Sequence, residues 1–350
     1  MLGIFPAFTT QTGGIQASGK IAWAGIVERM APPAHAPILF LYGESGVESL
    51  YPGRVVAART KGAAILAARR LRAQPARVLL WHISLLQLLP FLRVRGAKTV
   101  LVLHGVEVWH RQNWLMQRLL RRVDLFNSDS QYTWERFSSS NPSFATAAHR
   151  ILYLGLGEPV AEVPPKPTGP PMALMLSRLA RGEDYKGHRE MITVWPSVRE
   201  RLPNAELWIA GDGDLRPELE ALVRAHDLTR YIHFTGYIAE EEKQQLLARC
   251  ACFALPSQGE GFGLVYLEAM RIGRPCLVST LDAGREVVNP PKAGLSADPR
   301  DLRALADATC RLLTPGQEWD EWSLRARLRY EQHFTAAHFQ RRLIEALCSL

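Results

Sequence analysis

The chain has 350 residues, long enough for two α/β domains with separate cores, and 47% apolar with 22% charged residues is the composition of an ordinary globular protein. No apolar run reaches the roughly 18–20 residues that a bilayer-spanning helix needs, and residues 1–6 lack the basic region and long apolar core of a signal peptide. The five cysteines form no Cys-x-x-Cys pair and no disulfide framework, which fits a reducing cytoplasm.

The net charge of +8 is placed unevenly. Residues 1–160 hold 18 Lys+Arg against 8 Asp+Glu, and the rest of the chain holds 24 against 26. Between residues 51 and 100 there are ten basic residues and no acidic one. This positive field suits an anionic membrane surface, a phosphate-bearing acceptor or nucleic acid; its bland reading is a solvated basic face.

Residues 1–5 read as a first strand, 6–11 as a loop, and 15–30 as a helix opened by Thr12, Gly13 and Gly14. A Gly pair between strand and helix lets a phosphate approach the backbone, and it is equally a common turn. Residues 37–42 read as a second strand. Residues 54–72 are expected to form one basic helix, with Val55, Val56, Ile65 and Leu66 apolar and Arg59, Lys61, Arg69, Arg70 and Arg72 at other positions. Such a helix lies on an anionic leaflet or packs on a sheet. Residues 83–92 read as a second, apolar helix.

Residues 77–82 and 98–104 are short and mostly apolar, as buried parallel strands are, and each ends in a histidine. His82 reads as a sheet-edge residue. His104, followed by Gly105, stands where open α/β sheets bind ligands, and Glu107 is a candidate for the acceptor side. Residues 123–128 and 151–154 read as the last strands of this half, with a helix from 129. Six prolines and three glycines in 155–171 mark an interdomain connector.

The second half repeats the pattern. Strands are expected at 172–177, 206–210, 231–235, 252–256 and 275–279. Arg178 and Lys186 follow the first of these. They read as surface charge or as the paired cations that a diphosphate needs. Gly211 and Gly236 are turn glycines at strand ends, and Tyr237 follows the second. Helices are expected at 215–226, 240–249, 301–313 and 318–347. Strand–helix units on both sides of a Pro-rich linker imply two doubly wound α/β domains facing a cleft.

The stretch 257–270 organises this half. Gly259, Gly261 and Gly263 let the backbone turn tightly between a strand and the helix 264–271. The start of that helix offers unpaired N–H groups and a positive dipole end. A Glu268 in the first turns is mildly stabilising by itself, whereas a Glu260 between two glycines has no packing role.

Glu260 and Glu268, with seven residues between them and Gly261-Phe262-Gly263 inside, resemble the E-x7-E motif of retaining glycosyltransferases of family 4, which have the GT-B fold. The resemblance covers nearly the whole chain and is strongest over 172–279. It implies an N-terminal acceptor-side Rossmann-like domain at 1–160, a nucleotide-sugar domain at 161–335, and a final helix, 336–350, that crosses back to the first. It implies that Glu260 sits against the donor sugar and Glu268 bonds the ribose hydroxyls. Arg178, Lys186, Gly13, Gly14 and the backbone of Gly261, Phe262, Gly263, Leu264 and Val265 would hold the diphosphate. Gly211, Gly236 and Tyr237 would lie near the nucleotide, and His104 would touch the transferred sugar.

The expected activity is therefore transfer of a sugar, with retention, from a nucleotide-diphosphate sugar to a glycan or lipid-linked acceptor. The setting would be cell-surface polysaccharide or glycolipid synthesis at the inner face of the cytoplasmic membrane. Arg with Lys is expected to replace a metal at the diphosphate, so neither metal nor cofactor is expected. Three alternatives stay open. They are a GT-B epimerase or phosphorylase, a non-catalytic nucleotide-sugar-binding subunit, and a nucleic-acid binder. Against the last, the basic stretch has no nucleic-acid motif and no interleaved aromatics.

Overall fold

In the computed structural model, which describes residues 1–9, 13–30 and 36–350, the chain divides into two compact units. One comprises Met1–Gly157 and Phe334–Leu350, the other Glu158–His333.

The first unit is built on a parallel sheet of seven strands: β1 (Leu2–Pro6), β2 (Ile38–Tyr42), β3 (Arg54–Ala58), β4 (Arg77–Leu80), β5 (Lys98–Leu103), β6 (Leu125–Ser128) and β7 (His149–Ile151). Their spatial order is β3-β2-β1-β4-β5-β6-β7. Strands β1, β4 and β5 are mostly apolar and buried because a parallel sheet covered on both faces has no wet side. Leu2, Ile4, Val78, Leu80, Leu101 and Leu103 accordingly join one buried core.

The expected single helix over 54–72 is a strand followed by a helix. Arg54–Ala58 pairs in parallel with the whole of β2, from Ile38↔Arg54 to Tyr42↔Ala58. Helix Lys61–Arg70 begins only after Thr60, whose side chain accepts from the Ala63 amide. The β-branched pair Val55-Val56 completes a ladder that β2 would otherwise leave open. The expected loop and helix start around 6–14 fall partly on Thr10–Thr12, outside the described residues.

The second unit carries a parallel sheet of six strands: β8 (Met172–Leu176), β9 (Glu206–Ala210), β10 (Ile232–Gly236), β11 (Cys252–Leu255), β12 (Cys276–Ser279) and β13 (Gly294–Ala297). Their order is β10-β9-β8-β11-β12-β13. The chain winds outward from β8 in one direction and from β11 in the other, so the loops beyond these neighbours diverge and leave a crevice at the strand ends. Strand β13 has no counterpart in the expectations. It is four residues of small or mixed character, and its Gly294 lies so close to β12 that a Cβ would stand 2.0 Å from the Cys276 carbonyl oxygen.

The expected helix 318–347 is two helices, Gln317–His333 and Ala336–Cys348. Thr335 breaks them, its side chain accepting from the His338 amide as an N-cap. The second helix packs on helix Gly14–Met30 of the first unit, where Gln340 Nε2 donates to the Ile21 carbonyl at 3.1 Å.

Candidate functional site

The chemistry-bearing residues of the second unit collect beyond the C-terminal ends of its strands. Arg178 follows β8, and its side chain is 77% exposed. It pairs with Glu183, and the Lys186 ammonium lies 2.9 Å from the other oxygen of that carboxylate. Glu183 thus joins the two cations expected at a diphosphate. An exposed ion pair is worth only about 0–1 kcal/mol, so the Arg178–Glu183 contact is readily exchanged for a phosphate.

Two loops are fixed against each other here. The Gln258 amide donates to the Tyr185 carbonyl at 2.8 Å. Gly259 packs under the Tyr185 ring, where a Cβ would meet Cδ2 at 2.8 Å. Gly187, at φ +84°, starts helix His188–Arg201.

Glu260 is gripped through its main chain. Its amide donates to Asp282 Oδ2 at 3.1 Å, and its carbonyl accepts from the Ala283 amide at 3.1 Å. Burial raises the pKa of its carboxyl, Lys186 opposes that rise, and Glu183 adds to it. The carboxylate also accepts from the amides of Gly261 and Phe262. These two amides were expected to face the diphosphate, and here they serve Glu260 itself. The start of helix Leu264–Arg271 is the remaining anion cradle in this loop. Gly263 is its N-cap at φ +86°, and no side chain caps it. Leu264 and Val265 form its first turn and are half-buried.

Glu268 lies on that helix with its side chain 21% exposed. Its Oε1 accepts from Lys243 Nζ at 3.0 Å, while its Oε2 is buried without a partner. Gly211 (φ +138°) and Gly236 (φ +73°) meet where the Gly211 amide donates to the Gly236 carbonyl, and Tyr237 beside them is 83% exposed.

Lys243, Glu183 and Asp282 were not singled out from sequence. Asp282 is buried, and its two oxygens accept from the amides of Glu260 and Gly284. Burial, and then the neighbouring Glu260, push its pKa from 3.8 up to about 8. The folded state therefore holds a proton that the unfolded chain releases between these values. That stabilisation is complete below the unfolded pKa and is lost as pH rises through about 8. The thermal midpoint is expected to fall between about pH 4 and pH 8 and to level off above that. Asp282→Asn, neutral throughout, should flatten that slope in a calorimetric pH series. An identical slope in both proteins would refute the assignment.

In the first unit, His104 follows β5 and is buried. Its Nε2 is 2.7 Å from the Trp81 carbonyl, which only accepts, so Nε2 carries the proton. Burial lowers its pKa to about 4, leaving a neutral ring with Nδ1 3.8 Å from Asp129 Oδ2. Glu107, expected on the acceptor side, caps this turn by accepting from the amides of His104 (2.8 Å) and Gly105 (3.1 Å). Gly13 and Gly14 are exposed at the start of helix Gly14–Met30.

The chain matches solved structures over its whole length. Anabaena HepE, in complex with UDP and glucose, superposes with a TM-score of 0.76 at 18% identity, covering 100% of both chains. The lipopolysaccharide outer core galactosyltransferase WaaB superposes with a TM-score of 0.76 at 15% identity, covering 99% of both. The fold is therefore GT-B.

The sequence comparisons name the family. Residues 170–315 match the family "Glycosyl transferases group 1". A GDP-mannose-dependent alpha-(1-6)-phosphatidylinositol monomannoside mannosyltransferase of Mycobacterium tuberculosis is 32% identical over 269 residues, which are 66% of this chain and 67% of the relative. A glycogen synthase of the same species is 30% identical over 227 residues, 61% of this chain and 54% of the relative. The chain belongs to the group 1 glycosyl transferases and is a glycosyltransferase.

Proposed function

We propose that the protein transfers a sugar from a nucleoside-diphosphate sugar to an acceptor hydroxyl with retention of configuration, as a family 4 enzyme. The observation that carries this reading is the half-satisfied Glu268 carboxylate, with one oxygen on Lys243 and the other buried without a donor. A buried acceptor left unmade costs about 1–3 kcal/mol, so its retention on a helix with an uncapped N-terminus favours a ligand that brings hydroxyl donors and an anion together. A nucleoside diphosphate does both. Charge developing on the departing diphosphate is met by Arg178, Lys186 and the amides of Gly263, Leu264 and Val265, a preorganised set that needs no metal. Gly13 and Gly14 are assigned to the same anion, Gly211, Gly236 and Tyr237 to the nucleotide, and His104 to the transferred sugar through Nδ1.

The acceptor is proposed to be a glycan or lipid-linked intermediate in cell-surface polysaccharide or glycolipid synthesis, met at the inner face of the cytoplasmic membrane. A phosphatidylinositol mannoside is the acceptor in the name of one relative. Exposed Trp114 and Leu115, followed on the same face of the chain by exposed Arg118, Arg121 and Arg122, suit an anionic lipid surface.

Calorimetric titration of the purified chain with UDP, GDP and ADP tests the donor site. Metal-independent binding of one of them, weakened about tenfold or more by Glu268→Ala, is expected. No binding at millimolar concentration refutes the reading. Sedimentation with anionic-lipid vesicles, absent with neutral ones, is the parallel test of the surface.

A further inference from the structure

We propose that Lys243 is the positioning residue of the ribose subsite, holding one oxygen of Glu268 so that the other is presented to the ribose hydroxyls of a nucleoside diphosphate. The proposal rests on the donor reading above and adds a residue outside the motif that suggested it.

Lys243 lies on helix Glu240–Arg249, which follows β10. Its side chain is only 16% exposed, unusual for a residue that normally reaches into water. Its ammonium lies between two carboxylates, 2.8 Å from Glu240 Oε2 and 3.0 Å from Glu268 Oε1. Glu240 is tied in turn by Gln244 Nε2 at 2.9 Å. The ammonium is thus also held from its solvent side, by a carboxylate whose side chain is 73% exposed.

A bridge built for stability alone would use both oxygens of the inner carboxylate or leave the spare one in water. Here the spare Oε2 is buried and has no donor. Burial raises the pKa of Glu268 and Lys243 is the first influence opposing that rise, so the cation favours the ionised carboxylate. An ionised carboxylate fixed at one oxygen has its remaining lone pairs in a set direction, and two vicinal hydroxyls are donors that fit it. Lys243 touches no ligand in this scheme. It acts through Glu268, and its effect is specific to ligands that carry the hydroxyls.

The test is a comparison of affinities of the full chain. The probes are whichever of UDP, GDP and ADP binds, and its 2′,3′-dideoxy analogue. Wild type is expected to bind the analogue about tenfold or more weakly, the value of a hydrogen bond to a charged group. In Lys243→Met the parent nucleotide weakens and the ratio between the two ligands falls toward one. Lys243→Gln, which keeps a donor to Glu268, should retain an intermediate ratio and stands in if the Met variant does not fold. A ratio unchanged in both variants overturns the proposal, since a merely structural lysine would weaken both ligands alike. Equal binding of the two ligands by wild type also overturns it, because Glu268 would then not read the ribose. Failure of wild type to bind any nucleoside diphosphate refutes the donor reading itself.

Discussion

Glu260→Gln is expected to lower the turnover of sugar transfer by about 10²–10³-fold, while affinity for the nucleoside diphosphate changes by less than about threefold. The physical basis is the cost at which the carboxylate is kept. It lies beside buried Asp282, with Glu183 adding a like charge and Lys186 the opposing one. Its main chain is clamped at both the amide and the carbonyl, and two amides of its own loop point at its oxygens. Taking a carboxylate out of water beside a like charge destabilises a fold, so replacement by the neutral isostere should leave the thermal midpoint unchanged or raise it. Loss of turnover without loss of stability is the signature of strain kept for function. Turnover near that of wild type in Glu260→Gln, with the donor that calorimetry identifies, would remove this residue from the reacting centre.

The sequence told most where local chemistry is decisive. Strand Glu206–Ala210 and helices Glu240–Arg249 and Leu264–Arg271 have the bounds expected from their apolar runs and their flanking glycines and prolines. It told least where a neighbouring strand decides. Arg54-Val-Val-Ala-Ala58 fits either a helix or a strand by itself, and only the open edge of β2 selects the strand. The break at Phe334-Thr335 was hidden because polar and apolar residues continue with helical spacing across it.

The candidate site divides in the same way. Glu260, Glu268, Arg178 and Lys186 stand in loops whose glycines and strand ends can be read directly. The residues that orient them cannot, because sheet order brings them from elsewhere. Lys243 is 25 residues from Glu268, and Asp282 is 22 residues from Glu260. Glu183 is close in sequence to both cations, yet nothing in a single chain distinguishes a carboxylate that joins them from one that faces water.

Gly187→Ala is expected to cost the second unit about 2–5 kcal/mol, combining a left-handed backbone at a residue with a Cβ and an overpacked contact. The position is adjacent to Lys186, at φ +84°. An added Cβ would stand 2.5 Å from the Pro256 carbonyl oxygen and 2.9 Å from its Cγ. Backbone cannot yield as a flexible side chain does, so the two loops must separate. These are the loops that Gln258 ties to Tyr185, and they carry Lys186 on one side and Glu260 on the other. A midpoint lower by about 10 °C follows for a domain of this size, with nucleoside-diphosphate affinity falling as Lys186 is displaced. Gly182→Ala is the matched control. It lies in the same loop, and its added Cβ would have nothing within 4 Å, so it should leave both quantities nearly unchanged. Wild-type stability and affinity in Gly187→Ala would mean that the close approach of these loops is not what holds the two charged residues in place.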